Sequence, residues 1–188
     1  MTIDLTALSD GELATLCLAG RQTAFAQIMH RHQAAIYRLV RGYVGDADES
    51  LDLTQETFIA AHSALSRYDV SRPLRTWLSV IALNKCRDWR RKRAVRQFLS
   101  FTTPIGREAE AVAEDRGAIE DAVADRQELD RVTRAIAALP RTLKEPLVLR
   151  TIEGMTQAET ALILEICQSA SKKDPLSASK RDPLRRAA

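Results

Sequence analysis

Phe25, Ile28, Met29, Ile36, Leu39, Val40 and Tyr43 recur at helical spacing, so a helix over residues 23–44 carries them as one apolar stripe. A stripe of that length has to be covered by another apolar surface. The rest of the chain offers helices for the purpose. No run of alternating apolar and polar residues marks a strand, and alanine, leucine, arginine and glutamate, all good helix formers, dominate. The expected fold is all-α.

Caps and breakers divide the chain. Ser9-x-x-Glu12 reads as a capping box for a first helix, and Gly45 stops the helix that bears the long stripe. Asp46-x-x-Glu49 opens a third helix reaching about Leu65. Tyr68 to Arg72 is polar loop, and Pro73 suits the first turn of a helix carrying Trp77 and Trp89. Residues 9–96 thus form one compact helical domain. Residues 97–125 read as an acidic linker: from Arg107 to Asp130 nine acids face three arginines, with few apolar residues. A second small helical domain spans 126–168. Leu129, Val132, Ile136 and Leu139 form a stripe, and Pro140 breaks it. A short helix over Leu143 to Ile152 holds Pro146 near its first turn. Gly154 ends that helix, and Thr156-x-x-Glu159 caps another that runs to about Ile166. Helix, glycine-containing turn and helix together begin a helix-turn-helix. From Ser169 the octad SASKKDPL is followed by SASKRDPL, each with an Asp-Pro step that no long helix passes. Residues 169–188 read as a disordered, low-complexity basic tail.

Net charge is only +3, so the distribution of charge matters more than its sum. Between Lys85 and Arg96 seven basic residues stand against one acid, with Trp89 among them. Arginines neutralise phosphates and release counterions, and aromatic rings hold unstacked bases, so the pattern suits nucleic acid. Asp52, Gln55 and Glu56 share one helix face and are open to a partner. Cys17, Cys86 and Cys167 are far apart with no CxxC pair, and His30 and His32 lie on different helix faces, so no disulfide framework or metal site is implied. No Gly-rich phosphate loop or nucleophile motif is present, and neither catalysis nor a cofactor is expected. No signal peptide or membrane-spanning run stands out; a cytoplasmic location is expected.

Several segments, in order, resemble a known family. DLTQETF (Asp52 to Phe58), LRTWL (Leu74 to Leu78), then Ile81-Ala82, Asn84, Asp88 and Arg90-Arg91 occur in the first domain. ALP (Ala138 to Pro140), PLVL (Pro146 to Leu149) and GMTQAE (Gly154 to Glu159) occur in the second. Together they resemble the extracytoplasmic-function group of bacterial RNA polymerase sigma factors. The resemblance implies that Asp52, Leu53, Gln55, Glu56 and Phe58 dock on the clamp coiled coil of the core polymerase β′ subunit. It further implies that Arg75, Trp77, Asn84, Arg87, Arg90, Arg91 and Arg93 meet promoter DNA at the minus-10 element; Trp77 reads equally as a core residue. An anti-sigma factor is an implied partner. The chain departs from the family after Cys167: a turn after Leu164 and then a helix reading the minus-35 element are expected, and the octads stand there instead. The second domain is therefore expected to be an incomplete helix-turn-helix whose stripe (Leu129, Val132, Ile136, Leu147, Leu162, Ile166) lacks its covering helix and is partly exposed. The alternative function is a sigma-like interaction protein that binds core polymerase or an anti-sigma factor but initiates poorly.

Overall fold

The computed structural model describes residues 4–101 and 120–172, and among these every regular element is helical. The order is α1 (Asp10–Leu18), α2 (Gln22–Val44), α3 (Ala47–Ala64) with a 3-10 turn at Leu65–Arg67, α4 (Leu74–Phe101), α5 (Glu120–Ala138), α6 (Arg141–Leu147) passing into a π-helical stretch at Val148–Ile152, and α7 (Gln157–Lys172).

Local chemistry sets most boundaries. Ser9 and Glu12 close the capping box at α1: the Glu12 amide donates to Ser9 Oγ at 3.3 Å and the Ser9 amide to the Glu12 carboxylate at 2.7 Å. Thr156 and Glu159 do the same at α7. Gly45 ends α2 in the left-handed region, at φ +84°, where a side chain would be strained. Asp46 caps α3 by accepting from the Glu49 amide at 3.0 Å. Glu49 does not reciprocate; its carboxylate accepts from Trp89 Nε1 at 2.7 Å and ties α3 to α4.

The α2 stripe is buried as its spacing requires, with Ile28, Ile36, Leu39, Val40 and Tyr43 at 1% exposure or less. Leu53 and Phe58 of α3 and Leu74, Leu78, Ala82 and Leu83 of α4 cover it. The same core continues without interruption into Val148, Leu149, Met155, Ile163 and Cys167 of the second unit. Leu129, Val132 and Leu147 are exposed (65%, 47% and 36%). The inner face of that unit, however, is sealed by α2 and α4 of the first.

Three expectations need correction. The helix expected from Leu143 begins at Arg141, because the Pro140 carbonyl takes the amides of Leu143 and Lys144 at 3.0 and 2.9 Å. Pro146 is therefore interior to α6; it removes the amide that would have met the Thr142 carbonyl, and the ladder shifts to π register just beyond it. The helix expected to end near Ile166 runs unbroken to Lys172, so no turn follows Leu164. Helix also enters both ends of the expected linker, to Phe101 and from Glu120; residues 102–119 and the tail from 173 lie outside the described residues.

Candidate nucleic-acid interface

α3 and α4 lie side by side and divide the candidate residues into core and surface. Asp52, Gln55 and Glu56 are exposed on one face of α3. Leu53 and Phe58, read with them as docking residues, are 4% and 3% exposed; they anchor α3 in the core and present no surface of their own. Glu56 pairs with Lys85 of α4 at 3.1 Å. Between the two helices runs a groove of about 720 Å³, floored by Leu53, Trp89 and Val95 and edged by Glu49, Glu56, Lys85 and Lys92.

α4 changes character along its length. Leu74 through Cys86 alternates between core and half-buried positions, whereas every residue from Arg90 to Leu99 is exposed. Arg90, Arg91, Lys92 and Arg93 are thus all exposed around a helix end anchored by its first half, Arg91 and Lys92 on the groove with α3 and Arg90 and Arg93 beside Tyr43, Ala137 and Lys144. Trp89 is fixed at the junction: its indole N–H is held by Glu49, and the Arg93 guanidinium lies over its ring, 5.1 Å from the centroid. Arg91 pairs with Asp88 at 2.5 Å. Trp77 is half-buried, packs on the core and meets Tyr68 with 5.3 Å between centroids. Asn84 is half-buried on the same helix.

Arg75 and Arg87 are not part of that exposed end. Arg87 donates from Nε and Nη2 to the two oxygens of Glu145, at 2.8 and 2.5 Å, with the side chains 11% and 5% exposed. Arg75 donates to the carboxylate and backbone carbonyl of Glu153, at 2.8 and 2.5 Å. Arg38 of α2 approaches the other Glu153 oxygen at 3.4 Å. Burial raises the Glu153 carboxyl above its ordinary range, and the hydrogen bond from Arg75 and the charges of Arg38 and Arg75 oppose the rise. Arg41 pairs with Asp130 at 2.6 Å. Lys144, 2% exposed, reaches across the units: its ammonium donates to the carbonyls of Tyr43 (3.2 Å) and Ala137 and lies over the Tyr43 ring.

Arg38, Arg41, Lys144, Glu145 and Glu153 carry this second constellation, and none was marked by sequence reasoning. The pairs join residues 58 and 78 positions apart, a separation that no periodicity reports. Among the described residues no group of three or more histidine, cysteine or acidic side chains could hold a metal ion, and no helix is long and apolar enough to cross a membrane.

Comparison with known proteins identifies the family. Residues 28–96 match the family model for sigma-70 region 2, and residues 129–173 match that for sigma-70 region 4. Over 164 residues the chain is 39% identical to the RNA polymerase sigma factor CnrH of Cupriavidus metallidurans, covering 86% of each protein. It is 31% identical over 151 residues to the ECF RNA polymerase sigma factor SigW of Bacillus subtilis, covering 78% of this chain and 80% of that one. The solved structure of CnrH in complex with the cytosolic domain of CnrY is similar at a TM-score of 0.60 and 30% identity, over 95% of this chain and 99% of that chain.

Proposed function

Since the chain belongs to the extracytoplasmic-function group of the sigma-70 family of RNA polymerase sigma factors, we propose that it directs core polymerase to promoters through the first helical unit, without chemistry of its own. The observation that carries the site assignment is adjacency. The exposed acidic and polar face of α3 (Asp52, Gln55, Glu56) meets α4 through Glu56, which shares a groove with Trp89, Arg91 and Lys92, while Arg90 and Arg93 are exposed on the other side of Trp89. A surface of this kind serves two partners at once. The α3 face docks on the β′ clamp coiled coil, with Leu53 and Phe58 supporting it from beneath. The α4 arginines neutralise promoter phosphates near the minus-10 element, and Arg75, Trp77, Asn84 and Arg87 extend that contact along the helix. Captured bases add roughly 1–3 kcal/mol each through stacking, which offsets unpairing. Like CnrH, whose structure contains the cytosolic domain of CnrY, the chain takes a protein partner, an anti-sigma factor. The test is a pull-down on core polymerase followed by promoter-opening footprinting. Reversing the polarity of Asp52, Gln55 and Glu56 together should abolish core binding; unchanged binding would assign that face to solvent.

One observation supports a second reading. α7 continues as a single helix to Lys172, where the family places a turn and a separate reading helix. Direct readout in the major groove needs such a helix. On this reading the protein binds polymerase but discriminates minus-35 sequences weakly. Removing residues 173–188 should then leave the preference for a matched over a scrambled minus-35 element unchanged in transcription from purified components. Loss of an existing preference would show the tail reading DNA.

A further inference from the structure

Across Trp89 from the α3–α4 groove, a second cleft of about 420 Å³ opens where α2, α4, α5 and α6 meet. Its volume suits a small molecule, for which roughly 300–1,000 Å³ is usual. Arg90, Arg93 and Lys144 line it, and among the described residues no carboxylate does. Glu49 and Glu145, which neighbour these groups, are committed elsewhere: Glu49 accepts from the Trp89 indole, and Glu145 takes Arg87.

The cations of this cleft are held in place without a counterion. Lys144 is almost wholly buried, and its ammonium carries three N–H donors. The carbonyls of Tyr43 and Ala137 take two of them, and the third has no hydrogen-bond acceptor among the described residues. Burial lowers the Lys144 ammonium below the usual lysine range, and the charge of Arg90 adds to the fall while Glu145 opposes it. The Arg93 guanidinium is set over the Trp89 ring, and the indole itself is fixed by Glu49. Neither Arg90 nor Arg93 has an ion-pair partner among the described residues. The Tyr43 hydroxyl is also buried with no partner there. A buried ammonium beside two guanidinium groups, with no acid among them, is a charge arrangement that an anion completes. Guanidinium groups grip phosphate through paired N–H donors, and an ammonium adds a point charge. The remaining wall, Val44, Trp89 and Ala94, is apolar or aromatic; inorganic phosphate leaves it bare, and a ring covers it.

We propose that this cleft binds a small phosphorylated ligand of the nucleotide class: Arg90, Arg93 and Lys144 take its phosphates, and the wall of Val44, Trp89 and Ala94 receives its base. Arg90 and Arg93 also stand in the set assigned above to promoter phosphates, so a bound nucleotide competes with DNA for them directly. The site rests on the cleft's own residues and not on that assignment.

Isothermal titration calorimetry of the full chain, in a chloride buffer free of phosphate and DNA, tests the site with ATP, tripolyphosphate, inorganic phosphate and adenosine as separate titrants. ATP should bind at one site per chain, about tenfold or more tighter than each of the others. The double variant R90Q/R93Q should weaken ATP binding about tenfold, because two charge-assisted contacts are lost. R91Q/K92Q removes the same charge from the groove side of α4 and should leave ATP affinity within about twofold, since exposed charges that do not touch the ligand are screened by salt. Lys144→Met should weaken ATP binding as well, with far-ultraviolet circular dichroism checking that it remains helical. If that variant does not fold, the two surface variants decide the matter. Absence of ATP binding overturns the site. ATP binding no tighter than tripolyphosphate reduces it to general attraction of polyanions and also overturns it, as does equal weakening by the two double variants. Duplex DNA binding of R90Q/R93Q is measured separately. If ATP binding is lost and DNA binding is unchanged, the nucleotide site stands and the DNA assignment of these two arginines falls.

Discussion

Arg87 and Glu145 form the most enclosed charge pair described here, at 11% and 5% side-chain exposure. Attraction and desolvation nearly cancel for such a pair, so its presence says little about net stability, whereas removing one partner strands the other charge. Glu145→Ala should therefore cost the folded chain about 3–5 kcal/mol, while replacing both residues with leucine or methionine should be close to neutral. Urea denaturation of the single and joint variants checks this through a double-mutant cycle; additive losses would show that the two side chains do not act as a pair. Glu153 adds a pH dependence. Burial raises its carboxyl from 4.5 in the folded chain, so the folded chain holds a proton to higher pH than the unfolded chain does. Its contribution to folding stability is therefore largest below 4.5 and falls as pH rises through the window just above it. The difference in α7 amide protection between wild type and Glu153→Gln should follow that window, and a flat difference would remove Glu153 from the pH response.

At the scale of elements, α4 joins a buried first half to an exposed cationic end. Its exposed arginines should behave as independent phosphate contacts. Replacing Arg90, Arg91 or Arg93 with alanine should each flatten the log–log salt dependence of duplex binding by roughly 0.9. An unchanged slope would mean that the run only solvates the helix. This end of α4 was legible in the sequence because charge runs and caps are local: Ser9, Gly45, Asp46 and Thr156 all mark helix ends as their chemistry dictates. Leu53 and Phe58 show where local reading stops. They stand in the same short motif as Asp52, Gln55 and Glu56, and only the rotation of α3 against the core separates buried from exposed. Pro146 is a second case. The effect of a proline depends on where its helix starts, and that start was set by the Pro140 carbonyl rather than by periodicity. The roles of Glu145 and Glu153 depend on the meeting of distant segments, which the local pattern does not record.

For the whole molecule, the continuous core from Leu13 to Cys167 makes the two units a single packing entity. Thermal unfolding monitored by calorimetry should show one cooperative transition, with calorimetric and van't Hoff enthalpies in agreement. Two resolved transitions in the wild type would mean that the units are energetically separate. A side chain at Gly42 tests that continuity from within the core. Any other residue adds at least a methyl group 2.6 Å from Ile152 Cδ1, so the Ile152 side chain has to move aside before α2 and the π-helical stretch can pack together. A screen for folding-competent alleles should therefore return small residues at codon 42 before large ones, although that position belongs to neither the polymerase-docking nor the DNA-binding set.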